Sequence, residues 1–111
     1  MRMVVIAAAA ALGLVPAAGF AEDAKVEKGM QVFAAQKCSL CHSIAGKGNA
    51  KGSLDGVGSK LSAAEIKQWL TDPVSMAAKT KAERKPPMKA KPMPADDIDA
   101  LVAYLGTLKK K

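Results

Sequence analysis

Both cysteines and the single histidine of this 111-residue chain lie within five consecutive residues, Cys38-Ser39-Leu40-Cys41-His42. A disulfide between Cys38 and Cys41 would add little stability, because it would close a trivial loop and the stabilisation depends on loop length. No other cysteine or histidine exists to form a disulfide framework or a second site of this kind. The fold must therefore concentrate its thiol and imidazole chemistry at this one point.

The first 21 residues predict a secretory leader that precedes one domain, residues 22–111. Arg2 is the positive residue of the leader, and Val4 to Val15 form an apolar run. This run of about a dozen residues is too short for a membrane span, which needs about 20. Small residues follow at Gly19 and Ala21, so cleavage is expected after Ala21. The alternative is a retained N-terminal anchor.

The domain that remains has few large apolar side chains. It contains one Trp, one Tyr and one Phe, which is Phe33. A chain of about 90 residues with so thin a core usually needs disulfides, a metal or a large buried cofactor. Since the cysteines cannot supply a disulfide framework, a metal or a cofactor is expected.

The first of three predicted helices runs from about Asp23 to Gln36. Its apolar face carries Val26, Met30 and Phe33, and Gly29 lies on the same face. A glycine inside a helix lowers helix propensity, so either Gly29 is accidental or another helix crosses closely at that point. Met30 is expected to be a core residue.

The second and third predicted helices have clear boundary signals. Ser62 and Glu65 form a capping box, and Asp72-Pro73 ends the second helix. The third begins near Ala95 or Asp96 with an acidic first turn, and Lys109 to Lys111 are expected to complement the dipole at its end. No segment shows strand-like alternation, so the fold class is all-α.

Two long segments between these helices lack regular periodicity. Residues 43–60 contain five glycines, and residues 73–94 contain all the prolines of the domain. A small domain does not usually tolerate such loops unless they enclose something. A haem group is an object of suitable size.

The Cys-x-x-Cys-His pattern is typical of covalent haem attachment. Two thiols at this spacing reach two vinyl groups of one porphyrin, and His42 follows as the proximal iron ligand. Thioredoxin-like chemistry would require a βαβ context that is absent, and a zinc site would lack a fourth ligand. A surface dithiol would leave the thin core unexplained. The predicted leader supports haem, because attachment takes place outside the cytoplasm.

The sequence resembles class I c-type cytochromes over nearly the whole length of its mature part. The resemblance is carried by the haem motif, by Gly29 to Phe33, and by Asp99-Ala100-Leu101-Val102-Ala103-Tyr104-Leu105. It implies a cytochrome c fold, with three main helices and long loops around one covalently attached haem c. It also implies that the first and last helices cross at Gly29, with Phe33 and Tyr104 close by.

The loop after the motif departs from the family pattern. Members often have a Gly-Pro pair whose proline carbonyl accepts a hydrogen bond from the ligand histidine. The matching segment here is Gly52-Ser53-Leu54. The Ser53 carbonyl is expected to accept this bond from His42.

The resemblance calls for a methionine as the distal iron ligand, from the loop before the last helix. Met76 is expected to pack in the core, which leaves Met88 as the first choice and Met93 as the second. Met88 lies 16 residues before Tyr104, close to the spacing in such cytochromes, and Pro86-Pro87 would stiffen its loop. Met93 instead suits an apolar residue before the last helix. Trp69 is expected either to contact the haem or to be a core residue of the second helix.

These features predict an exported, mono-haem electron carrier rather than an enzyme, in the periplasm or an equivalent compartment. Basic residues around Met88 would attract an acidic redox partner, although a solvated loop is an equal alternative. They are Lys79, Lys81, Arg84, Lys85, Lys89 and Lys91. A haem protein with an open distal position and a haem-free dithiol oxidoreductase are the competing functions. Nucleic acid is excluded by the absence of a binding motif in an exported protein.

Overall fold

The computed structural model describes residues 17–110, with side chains from residue 23. Residues 1–16 of the predicted leader lie outside this range. The elements are α1 (Ala17–Ala35), a 3-10 turn (Cys38–Leu40), β1 (Ser43–Ile44), β2 (Lys47–Gly48), a second 3-10 turn (Ala50–Gly52), α2 (Val57–Lys60), α3 (Ala63–Thr71), α4 (Pro73–Thr80) and α5 (Ala95–Gly106). None of the helices in residues 17–110 is both long and apolar enough to cross a bilayer. The predicted all-α class is confirmed, with one minimal hairpin added.

The crossing of α1 and α5 at Gly29 is confirmed. A Cβ atom at Gly29 would overlap the carbonyl oxygen of Ala100 and the Cβ of Tyr104. Beside this contact, the rings of Phe33 and Tyr104 meet edge to face, with centroids 6.1 Å apart at 81°, a favourable arrangement for an aromatic pair. The two helices can approach this closely only because position 29 has no side chain.

The core between the helices is small, and Met30 is outside it. The buried apolar residues are Val32, Ile66, Met76, Ala100, Leu101 and Leu105. Met30 is 52% exposed, so its predicted core position is wrong. The buried line of α1 follows Gly29 and Val32, and Met30 lies about 100° around the helix from Gly29. The packing position predicted for Met76 is confirmed.

The predicted second helix, α3, begins and ends where expected. Glu65 donates its backbone N–H to the Ser62 hydroxyl, and the Ser62 N–H is donated to the Glu65 carboxylate, which completes the capping box. Asp72 ends α3 and also caps α4, a helix that the sequence analysis did not predict. Its carboxylate accepts the backbone N–H of Ser75, and Pro73 takes the first helical position, where its missing N–H has no cost.

Lys109 and Lys110 do not complete the last turn of α5 as predicted, because the helix already ends at Gly106; Lys111 lies outside the described residues. The chain turns there, and the following residues contact α2 instead. Lys109 donates its ammonium group to the Gly58 carbonyl at 2.9 Å, and the Lys110 N–H is donated to the Ser59 hydroxyl at 2.7 Å. This end of the chain therefore holds α2 in place.

We predict that Gly29→Ala destabilises the protein by about 1–3 kcal/mol, the usual cost of forcing an extra methyl group into a packed interior. Gly106→Ala is the matched control, since nothing lies within 4 Å of a Cβ at this second helical glycine. The control should be neutral or stabilising by up to about 1 kcal/mol. Guanidinium unfolding followed by far-UV circular dichroism measures both, and equal stability of the two variants would contradict the crossing.

Candidate functional site

The Cys38 to His42 segment forms a single turn directly after α1. Lys37 has a positive φ of 57°, so the chain changes direction there, directly after α1. The backbone N–H groups of Cys41 and His42 both donate to the Cys38 carbonyl, at 3.2 and 2.9 Å. One compact turn therefore joins the two cysteines and the histidine.

Both cysteines are free thiols. Cys38 is half-buried and Cys41 is exposed. Burial raises the pKa of the Cys38 thiol, and the nearby Lys91 ammonium opposes that rise. Dithiol oxidoreductases depend on a cysteine whose pKa is lowered, so this environment does not favour that alternative.

The His42 ring is held in one orientation by a hydrogen bond from Nδ1 to the Gly52 carbonyl, at 3.0 Å. A carbonyl can only accept, so Nδ1 carries the proton and Nε2 keeps a free lone pair. Burial lowers the pKa of His42 below its ordinary 6.5; the bond to Gly52 opposes this shift and the Arg84 guanidinium adds to it. The ring is therefore neutral at neutral pH, as a metal ligand must be.

The acceptor is Gly52 rather than the expected Ser53. Gly52 ends the 3-10 turn that Asn49 caps, and its own N–H bonds the Asn49 carbonyl at 3.1 Å. This turn brings the Gly52 carbonyl to His42. Ser53 instead pairs with Ser43 in an isolated bridge.

A short hairpin supports the backbone of the motif. Strands β1 and β2 are joined by Ala45 and Gly46, both at positive φ, the backbone that a two-residue hairpin turn requires. Gly48, at φ 109°, lies so close to the His42 carbonyl that a Cβ there would overlap it. The Asn49 N–H is shared between the carbonyls of Ser39 and His42, each at 3.1 Å. These hydrogen bonds provide a donor for the backbone carbonyl groups of Ser39 and His42, both within the motif.

The segment that contains Met88 contacts this turn at one point and the residue directly after α1 at another. The Arg84 guanidinium is next to Gly52 and the Cys41 carbonyl, and Lys91 donates its ammonium group to the Gln36 carbonyl at the end of α1. Met88 lies between these two contacts in the chain and is half-buried. Both cations were predicted to belong to the basic cluster around Met88; their contacts with the turn and with Gln36 were not predicted, because the sequence has no local signal for them.

The other two predicted site residues, Met93 and Trp69, are distant from this turn in the sequence. Met93 is half-buried and comes directly before Pro94, which caps α5. Trp69 is half-buried on α3. Among the hydrogen bonds of the described residues, none involves its indole N–H.

An open groove of about 430 Å³ lies elsewhere, between α1, α3 and α5. It is lined by Lys25, Ala63, Ala64, Lys67, Asp99, Val102 and Ala103. It contains none of the thiol, imidazole or thioether groups of the chain. The chemistry of the protein lies at the Cys38 to His42 turn instead.

The residues of this turn fit a covalently attached haem. Two free thiols are one turn apart, and the adjacent neutral imidazole has a free Nε2 whose orientation is fixed from the other nitrogen, as is usual for metal-bound histidine. Within residues 17–110, no group of three or more Cys, His, Asp and Glu side chains is arranged to bind a metal ion. A metal carried by a cofactor is consistent with this donor set.

A comparison with known protein families agrees with this assignment. The family model for cytochrome c matches residues 26–109, which include the whole turn and the segment up to the end of α5. No match was found among curated proteins or among solved structures. Proteins of the matched family carry covalently attached haem c with its iron and serve in electron transport. The chain described here is therefore a member of the cytochrome c family.

Proposed function

We propose that this cytochrome is an exported carrier of single electrons, in which Cys38 and Cys41 would be joined to the haem and His42 and Met88 would bind its iron. The observation that carries the proposal is the His42–Gly52 hydrogen bond. It leaves Nε2 of a neutral imidazole free, beside two unpaired thiols. Haem supplies the one-electron chemistry of its iron when it is bound.

The chain's own residues would attach and orient this group. Each thiol would add across one vinyl group to form a thioether bond, and His42 would bind the iron through Nε2. The Gly52 carbonyl keeps the proton on Nδ1 and increases the basicity of the ligand nitrogen. Trp69 is proposed to contact the haem, and its half-buried indole N–H is available for a hydrogen bond to a propionate.

Met88 is proposed as the distal ligand because its segment lies against the Cys38 to His42 turn, called the attachment turn below. Arg84 and Lys91, on either side of it in the chain, contact that turn and the residues just before it. Met93 is instead next to the cap of α5. A thioether ligand in addition to the histidine would raise the reduction potential, and with both ligands bound the iron would have no open position for substrate.

We predict that Met88→Ala abolishes the weak far-red absorbance band by which ferric haem reports a thioether ligand, and that Met93→Ala retains it. The Met88 variant should also bind CO readily in the ferrous state at neutral pH, because its sixth position becomes open. The reverse pattern would transfer the assignment to Met93. Ready CO binding by the unaltered protein would favour the ligand-binding or peroxidatic alternative.

Export is proposed from the leader-like residues 1–21. We expect protein purified from the native envelope fraction to begin at Glu22 and to carry the mass of one haem. Intact-mass measurement tests cleavage and attachment together. A mass that includes residues 1–21 would indicate the retained N-terminal anchor, and a cleaved chain without haem would favour the dithiol alternative.

The basic segment around Met88 is proposed to attract an acidic redox partner. Its lysines, among them Lys85, Lys89 and Lys91, are exposed. Positive charge near the point of electron exit would accelerate encounters with an anionic partner at low ionic strength. Such encounters are weak and sensitive to salt.

We predict that Lys89→Glu slows oxidation of the ferrous protein by ferricyanide, an anionic probe, by about threefold at low salt. Lys67→Glu is the matched control, since it makes the same change in net charge at an exposed position on α3. Stopped-flow absorbance measures both rates over a series of salt concentrations. Equal slowing in the two variants would mean that only the total charge matters, and would contradict a local docking surface.

A further inference from the structure

Residues 83–93 lie in the connection between α4 and α5 and contain Met88. They form no ladder of backbone–backbone hydrogen bonds. Among the described residues, none of their backbone N–H or carbonyl groups bonds another backbone group. Three of these residues are prolines, Pro86, Pro87 and Pro92, which have no N–H to donate. Side chains must therefore hold the segment against the rest of the protein.

The first contact is made by Arg84. Its Nη1 and Cζ atoms lie at the position that a side chain of Gly52 would occupy, next to the Cys41 carbonyl. Arg84 is half-buried, and its charge is close enough to lower the pKa of His42. The guanidinium thus lies against the backbone that orients the proximal histidine.

The second contact is made by Lys91. Its ammonium group donates to the Gln36 carbonyl, directly after the end of α1, where carbonyl groups lack partners within the helix. A cation at this place also complements the negative end of the helix dipole. The contact joins positions 55 residues apart in the chain.

Together these observations lead to a proposal that rests on the proposed role of Met88. We propose that Arg84 and Lys91 are positioning residues that clasp the 83–93 segment to the attachment turn and thereby hold Met88 at the haem. Arg84 fixes the segment four residues before Met88, and Lys91 fixes it three residues after. Lys85 and Lys89 of the same segment are exposed and form no hydrogen bond within the described residues.

Trypsin tests the clasps in the haem-loaded protein, because the segment contains a suitable reporter bond. Trypsin cleaves after lysine and arginine but not before proline, so Lys85-Pro86 and Lys91-Pro92 resist it, whereas Arg84-Lys85 and Lys89-Ala90 do not. Lys89-Ala90 is the reporter, because Arg84→Met removes the Arg84-Lys85 site and none of the variants removes Lys89-Ala90. Cleavage at Lys89-Ala90, measured by mass spectrometry, reports how often the segment opens. Cleavage at Lys67-Gln68 in α3 reports opening of the fold as a whole.

Arg84→Met and Lys91→Met should each increase the cleavage rate at Lys89-Ala90 about fivefold, in line with the loss of one polar contact. Lys91→Arg should restore most of the protection. Lys85→Met is the matched control, because it removes the same charge from the same segment and leaves the reporter bond unchanged. Rates equal to that control would overturn the proposal. Equal acceleration at Lys67-Gln68 would also overturn it, because the effect would then be global.

A spectroscopic measurement connects the clasps to the iron. In the Arg84→Met and Lys91→Met proteins, the far-red band should disappear at a lower temperature than the far-UV circular dichroism signal, and this gap should be wider than in the control. An unchanged gap would overturn the role in holding the ligand. If the unaltered protein lacks the band while the trypsin result holds, the ligand assignment fails and the clasp itself stands.

Discussion

The close approach of α1 to α5 at Gly29 is the contact on which the rest of this structure depends. It brings Phe33 against Tyr104 and places Leu101 and Leu105 at the centre of the small core. It also fixes the position of the end of α1, where the Cys38 to His42 turn begins. A domain with so few large apolar residues has little else to replace this interface, so the position of the functional turn follows from the absence of one side chain.

The functional turn shows how burial and hydrogen bonding act together on one imidazole. Burial disfavours the charged form of His42, and the bond to Gly52 selects the tautomer with a free Nε2. The ring is thus neutral and oriented before any metal binds, which reduces the cost of ligation. Burial likewise raises the pKa of Cys38, which disfavours the thiolate that disulfide exchange requires.

The sequence was sufficient to predict the elements whose signals are local. The motif itself, the capping box at Ser62 and the start of α5 follow from residues a few positions apart. The crossing at Gly29 was expected from the resemblance to class I cytochromes. Helix α4 was missed because Asp72-Pro73 was interpreted only as a helix end, although Asp followed by Pro is also a good helix start. Met30 was predicted to be buried because the row of residues that contains it is only one position away, in the sequence, from the buried row of Gly29 and Val32.

Contacts between distant parts of the chain could not be predicted in this way. Which carbonyl meets His42 depends on the 3-10 turn after Asn49, and the contacts of Arg84 and Lys91 depend on the path of a segment without periodicity. Long basic side chains on an irregular segment look the same in sequence whether they face solvent or bind a carbonyl. Their partners are determined by tertiary structure alone.

The absence of backbone–backbone hydrogen bonds in residues 83–93 affects how such a protein can evolve. Strands and helices have a register, so an inserted residue displaces every partner that follows. This segment has no such register, so an insertion between its two cationic contacts displaces no backbone hydrogen-bond partner. Natural selection can therefore vary the surroundings of Met88, the proposed distal ligand, while the Cys38 to His42 turn stays the same.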